Sequence, residues 1–417
     1  MRLATCLAIL VAAVGCAQQL MPTPNLYAHS EADPFVDVPQ ALQTSDVDVL
    51  FVTDRLATQD EKGQPQFGYD RSKSLSYGSF VVGIGDNVPW DDLVRESRSQ
   101  SRRLMLPLSR REIRVMGSFP ETPPRRVIVD GVVTDDPRDA ATLEAARASM
   151  CGEVSRRMAL NPGRKEAFVF IHGFNNTLDD GAFVVAELWH FIGRQGIPIA
   201  YSWPAGQSYA YDRESGEFTI FHLKQFLRAL ASCPDLEKVH LIAHSRGTDV
   251  AITALRELNI EQIAAGRNTR EMLKLGNVIL AAADIDIHVA NQRIGAEGLF
   301  ILPERMTIYV SLSDLALDAA SWLFKSGSRL GDARADDLSM EQRRILSQVN
   351  QLQVIRADVV RSGIGHDYFH SNPAVSSDLI RILRDNRGPG AENGRPMTRL
   401  EDGFWEIRED YLLTEKP

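Results

Sequence analysis

The sequence predicts an α/β fold with a mainly parallel central sheet and helices on both faces. Three observations predict it. Short apolar runs at 168–171, 197–201, 239–243, 278–282 and 307–310 alternate with helical patterns, the order of parallel strands joined by helical crossovers. Those runs are almost uniformly apolar, as strands buried on both faces are. One of them, Val-His-Leu-Ile-Ala-His-Ser-Arg-Gly over 239–247, ends in a serine between small residues and leads into a further helical pattern.

Earlier in the chain, 46–53 and 77–85 have the composition of strands, with a glycine- and charge-rich turn region between them. Residues 100–136 carry short β-like runs with prolines, and 138–160 is a helical stretch closed by Asn161, Pro162 and Gly163. After the 168–171 strand, Val185, Leu188, Trp189 and Ile192 recur at helical spacing, a stripe that faces the core. Residues 319–350 are long and mixed in charge, so 320–350 is either a lid over the site or a surface excursion. The apolar segment 354–360 is the last strand expected. A glycine-rich stretch at 386–394 suggests that 386–417 leaves as a tail, which confines the domain to 46–385.

The 417 residues are 44% hydrophobic and 24% charged, ordinary values for a globular enzyme. A net charge of −9 argues against nucleic acid as a partner. Arg110, Arg111, Arg114, Arg125 and Arg126 cluster in sequence and are expected on a solvated, salt-bridged face. There is no internal repeat, phosphate loop or dinucleotide fingerprint. His366 and His370 lack a third residue spaced to complete a metal site, so neither cofactor nor metal is expected.

The chain opens with Arg2, an apolar run over 4–14, and Gly15-Cys16, too short a stretch to span a membrane. Residues 1–16 have the form of a lipoprotein signal in which Cys16 becomes the acylated first residue, although Ala13 stands where leucine is usual. Residues 17–45, with Pro22, Pro24, Pro34 and Pro39, would be a flexible tether. The expected address is the cell envelope, lipid-anchored to a membrane; secretion after ordinary signal cleavage is the alternative. In that oxidising compartment Cys151 and Cys233 are a reasonable disulfide, since both preceding helices should pack on one sheet face. Two buried thiols are the alternative.

Ser245 carries the chemistry. On a sharp strand-to-helix turn its Oγ leaves the sheet, and the next backbone N–H aims at the same spot. Ala243 and Gly247 are small, as close strand and helix backbones require. The His172-Gly173 pair ends the 168–171 strand, where many serine hydrolases of the α/β class place an oxyanion donor. The Phe174 and Arg246 N–H groups are then the two donors, with Asn175 or Asn176 as side-chain helpers. His366, in a glycine-bounded loop past the last strand, is the candidate base, and His370 is expected at the surface. His172, His240 and His244 sit at strand ends, as structural or pocket-lining residues. Asp314 follows the second strand after the serine strand, the usual position of the acid; Asp284 is the runner-up and Asp286 third. Trp203, Tyr209 and Tyr211 are candidates for a substrate pocket, with core packing or loop anchoring as the alternative.

The pieces Phe51-Val-Thr-Asp-Arg55, Leu75-Ser-Tyr-Gly78, Phe170-Ile-His-Gly-Phe-Asn175, Tyr201-Ser-Trp-Pro204, Tyr211-Asp-Arg213, Leu241-Ile-Ala-His-Ser245, Tyr309-Val-Ser311 with Asp314, and Gly365-His-Asp-Tyr-Phe369 occur in that order. Together they resemble a group of bacterial α/β-hydrolase-fold proteins of largely undefined substrate, many of them predicted lipoproteins. The resemblance implies an α/β-hydrolase fold, with Ser245 as nucleophile, His366 as base and Asp314 as acid. Arg246 stands where similar proteins commonly carry methionine, and a guanidinium at the mouth would favour an anionic substrate. The expected function is a serine hydrolase of a small-molecule acyl substrate. An acyltransferase, or a non-catalytic binding or envelope scaffold on the same fold, are the alternatives.

Overall fold

A computed structural model of the chain describes residues 18–28, 33–311, 314, 317, 329–334, 337, 339–359 and 365–413. Its strands are β1 (Asp46–Gln59), β2 (Pro65–Ile84), β3 (Leu108–Ser118), β4 (Arg126–Val129), β5 (Val132–Asp135), β6 (Glu166–Ile171), β7 (Ile197–Ser202), β8 (Lys238–His244), β9 (Leu275–Ala281), β10 (Arg305–Val310), β11 (Leu352–Asp358), β12 (Thr398–Arg399) and β13 (Trp405–Arg408). All but β4 and β5 lie in one sheet, in the order β12-β13-β11-β10-β9-β8-β6-β7-β1-β2-β3. The strands from β13 through β1 in that order pair in parallel, and β12, β2 and β3 add antiparallel edges. This is the mainly parallel sheet that the sequence predicts.

Successive side chains on a strand point to opposite faces, and here both faces are buried. Val169 and Ile171 of β6 join Leu241 and Ala243 of β8 in one apolar cluster, while Phe168 and Phe170 join Ile242 in the other. The helices Pro137–Leu160, Tyr209–Ala231 and Gly247–Ala264 contribute Met150, Phe226 and Leu255 to the first cluster. The helices Leu178–Phe191 and Pro373–Leu383 contribute Leu188 and Leu379 to the second. Val185, Leu188, Trp189 and Ile192 are buried there, as their spacing predicts. Cys151 and Cys233 are joined as a disulfide.

Three expectations need correction. The region between the first two strands is mostly strand itself: β1 runs on to Gln59 and β2 starts at Pro65. Their distal halves are largely solvent-exposed, so no apolar alternation marks them. The proposed tether is largely docked. Leu20 N–H bonds to Leu106 O at 2.8 Å, Arg102 holds the carbonyls of Leu20 and Met21, and Leu26, Tyr27, Phe35 and Val38 are buried. The segment includes a short helix, Asn25–Ala28, directly after Pro24, and its prolines do not prevent burial.

The C-terminal segment does not leave the domain. β13 pairs with β11, and Arg395 forms a two-pronged pair with Asp378 at 2.8 and 2.7 Å with both side chains fully buried. The glycine-rich stretch before it is a reversal, with Gly390 and Gly394 at φ +100° and +84°. Of the candidate lid, residues 319–328, 335, 336 and 338 lie outside the described residues. Leu330–Asp332 lies against the carboxyl ends of β9 and β10, where Ser311 N–H bonds to Gly331 O at 2.8 Å. The helix Met340–Gln348 leads into β11.

Candidate active site

Ser245 follows the carboxyl end of β8, the strand flanked in the sheet by β6 and β9. β8 stops at His244 and the next helix starts at Gly247, which leaves Ser245 in the left-handed region at φ +52°. A residue with a Cβ rarely sits there, and the surroundings hold it in place. Ser245 N–H bonds to Ala281 O at 3.0 Å, and Ser245 O accepts from Thr248 Oγ1 at 2.6 Å and from Asp284 N–H at 3.3 Å. A Cβ on Gly247 would stand 2.4 Å from His172 O, so only glycine lets the helix start this close to β6. A Cβ on Gly173 would stand 3.1 Å from Ser245 Oγ, which leaves the serine side chain lying against bare backbone.

His366 and Asp314, distant in sequence, come together: His366 Nδ1 lies 2.7 Å from Asp314 Oδ2, and the carboxylate side chain is fully buried. His366 follows Gly365, whose φ of +75° turns the chain back toward the sheet. His244 steadies this loop. Its Nε2 donates to His366 O at 3.0 Å, and the two rings are 4.8 Å apart. Burial, then the neighbouring His366 ring, push the His244 pKa well below the usual imidazole value, so His244 stays neutral. Residues 361–364 of the loop lie outside the described residues.

Of the two expected donors, Phe174 lies on the loop after β6 and Arg246 follows Ser245 on the turn after β8. No protein acceptor takes the N–H of Phe174 or of Arg246 among the described residues. The loop is braced from three sides: Gly173 N–H bonds to Asn176 Oδ1 at 3.2 Å, Asn175 N–H to Asp212 Oδ2 at 3.1 Å, and Asn176 O accepts from Arg55 Nη2 at 2.6 Å. The Asn176 side chain therefore ties the loop to itself. Arg55 and Asp212 had no role assigned from the sequence. The available signal was Arg55 itself, a charge at the end of the apolar run of β1, where it is fully buried. Burial first, offset by Asp54 and more distant acids, lowers its pKa to about 10.

The remaining candidates separate. Asp284 is buried beside the Ser245 backbone, but its carboxylate faces Arg329 Nε at 3.4 Å and the Tyr209 hydroxyl at 3.2 Å. Asp286 caps a short helix by accepting from His288 and Val289 N–H. Trp203 is fully buried: its indole N–H donates to His172 O at 2.7 Å, which makes it a prop beneath the loop and not an open pocket wall. Tyr209 packs its ring 5.3 Å from the exposed Phe174, at the edge of the site. Tyr211 instead bonds Tyr69 O at 3.0 Å and lies under Arg71, on the β1–β2 hairpin.

Two further expectations change. The Arg246 guanidinium is tied back along its own helix to Asp249 at 2.8 Å, with 10% of the side chain exposed, so it is not a free cation at the mouth. His370 is not a surface residue; its Nδ1 pairs with the buried Glu187 carboxylate at 2.7 Å. His172 and His240 are structural, as expected, His240 bonding Glu166 Oε2 at 2.9 Å. The clustered arginines Arg110, Arg111, Arg125 and Arg126 each pair with an aspartate. Cys16 lies outside the described residues. No group of three or more metal-binding side chains occurs among the described residues, and none of their helices is long and apolar enough to cross a membrane.

No curated protein matches the sequence. Among solved structures, a proline iminopeptidase-related protein from Thermus thermophilus is similar at 18% identity, over 52% of this chain and 80% of that one, with a TM-score of 0.22. A likeness that low carries no argument about this chain. The family model described as "Alpha/beta hydrolase of unknown function (DUF900)" matches residues 147–384, more than half of the chain, and spans Ser245, Asp314 and His366. With this sheet, and with a serine raised on the turn after β8, the chain belongs to that family of α/β hydrolases.

Proposed function

We propose that the protein is a serine hydrolase of the cell envelope that cleaves a carboxylic ester or a related acyl substrate. The observation that carries this reading is the left-handed backbone of Ser245, held against the bare Gly173, next in the chain to His244, whose ring lies 4.8 Å from that of the Asp314-bound His366. A packed turn has no need of strain at a serine, whereas a nucleophile gains an exposed Oγ from it. His366 Nε2 takes the proton of Ser245 Oγ, and the oxygen attacks the substrate carbonyl. Asp314 holds the ring through Nδ1 and stabilises its charged form. The oxyanion takes the N–H groups of Phe174 and Arg246. His366 then protonates the leaving group, an acyl-enzyme forms, and a water activated by the same histidine releases the acid.

Ser245→Ala is expected to lower hydrolysis of a short-chain aryl ester by roughly a thousandfold with the fold intact. Undiminished turnover refutes the assignment. The address is proposed on the leader: lipid at Cys16 would hold the enzyme to a membrane. Cys16→Ser should abolish fatty-acid labelling and release the protein, and an unlabelled wild type would point to ordinary signal cleavage.

A further inference from the structure

We propose that His172 and Arg55 are positioning residues that aim the Phe174 N–H at the oxyanion, through the single peptide group between Gly173 and Phe174. The inference rests on the reading of Ser245 as nucleophile. It starts from the donors around His172 Nε2. Trp203 N–H lies 3.1 Å from that nitrogen and Arg55 Nη2 3.3 Å, and both groups can only donate. Ser202 Oγ, 3.0 Å away, accepts from Arg55 Nε at 2.8 Å and so has its own proton to offer. Nε2 must therefore be the bare nitrogen, and the ring proton sits on Nδ1. Burial, then the Arg55 charge, lower the His172 pKa to about 3, which keeps this neutral tautomer at every working pH.

The Nδ1 proton points at Gly173 O, 2.9 Å away. A trans peptide sets its C=O and N–H in opposite directions. With Gly173 O turned onto the buried ring, the Phe174 N–H is turned off it, to the open side of the loop, where no described acceptor takes it. Ser245 occupies the space a side chain on Gly173 would need, since a Cβ there would stand 3.1 Å from the serine Oγ. Arg55 completes the brace. It bonds Asn176 O at 2.6 Å, Gly68 O at 2.8 Å and Ala205 O at 3.2 Å, and so ties the loop to β2 and to the chain after β7. Without the His172 donor this peptide is free to rotate, and the oxyanion loses one of its two partners.

The test compares two replacements that each keep half of the ring's bonds. In His172→Asn the amide nitrogen takes the place of Nδ1 and still donates to Gly173 O. In His172→Gln the amide reaches the Nε2 position and leaves Gly173 O without its donor. Both lose buried hydrogen bonds, so thermal stability moves similarly in each; kcat does not. With an aryl ester, His172→Gln is expected to lose about 100-fold in kcat with KM nearly unchanged, and to react with a fluorophosphonate correspondingly slowly, while His172→Asn stays within about tenfold of wild type. Equal kcat in the two variants, or a loss confined to KM, overturns the proposal. Should either fail to fold, Arg55→Lys keeps the buried cation but cannot reach Ser202 Oγ and Asn176 O together. It is expected to lower kcat by about tenfold or more at constant KM, and wild-type kcat in it overturns the proposal. Wild-type protein not labelled at Ser245 would instead remove the underlying reading before any variant is made.

Discussion

Asp314 Oδ2 lies 2.7 Å from His366 Nδ1, while Asp284, the other buried carboxylate near Ser245, faces Arg329 and Tyr209. A carboxylate that orients a catalytic ring must touch it, and of the candidates only Asp314 is placed to do so. Asp314→Asn is therefore expected to reduce turnover by roughly ten thousandfold, the order seen when a triad acid is neutralised. Asp284→Asn and Asp286→Asn are expected to do far less. Comparing kcat of the three variants, with folding checked by circular dichroism, tests the ranking; the reverse order would move the acid to the end of β9.

Gly247 offers a test of the turn that raises Ser245. A Cβ there meets His172 O at 2.4 Å and Ile171 O at 2.6 Å, both backbone atoms at the end of a central strand. Neither can swing aside as a side chain would. Gly247→Ala should cost about 1–3 kcal/mol in urea denaturation and shift the serine away from the loop after β6, with most turnover lost. A variant as stable and active as wild type would mean that the helix start has room to spare.

The Glu187–His370 pair predicts a pH dependence of stability. Burial opposes a charge on His370, but the Glu187 carboxylate and, farther off, Asp367 raise its pKa above the usual imidazole value. A raised folded pKa means that its contribution is complete below the unfolded value of about 6.5 and is lost as the pH rises through the folded one. The difference in Tm between wild type and His370→Asn should then be larger at pH 6 than at pH 9. A difference that stays constant over this range would show that the ring is not charged in the folded protein.

Arg395 tests whether the C-terminal segment is part of the domain. Its guanidinium neutralises Asp378 deep in the structure, where the hydroxyls of Tyr309 and Tyr411 complete the carboxylate's partners. Arg395→Met leaves that carboxylate buried without a cation, which should cost about 3–5 kcal/mol. Urea denaturation measures this directly, and a change within error would return residues 386–417 to the status of a tail.

Much of the site was legible locally. The strand-to-helix turn at Ser245, the His172-Gly173 pair and the candidate acid at Asp314 each depend on a few consecutive residues: an apolar run, a small residue, a polar group at the strand's end. The strands around Ser245 and their parallel pairing also followed from apolar runs alternating with helical patterns, because burial on both faces leaves that mark on the sequence. Their order in the sheet came only with the fold. What only the tertiary structure decided are the contacts between segments far apart in the chain. Strand count puts Asp314 ahead of Asp284, but only the return of the His366 loop, 52 residues beyond Asp314, brings the ring to that carboxylate. Polar, proline- and glycine-rich segments look like tethers and tails, since their burial depends on a neighbour; Arg102 holds one and Asp378 the other. Arg55 shows the same limit. A buried arginine is tolerated only where carbonyls converge on it, and these come from β2, the loop after β6 and the chain after β7, which meet only in the fold.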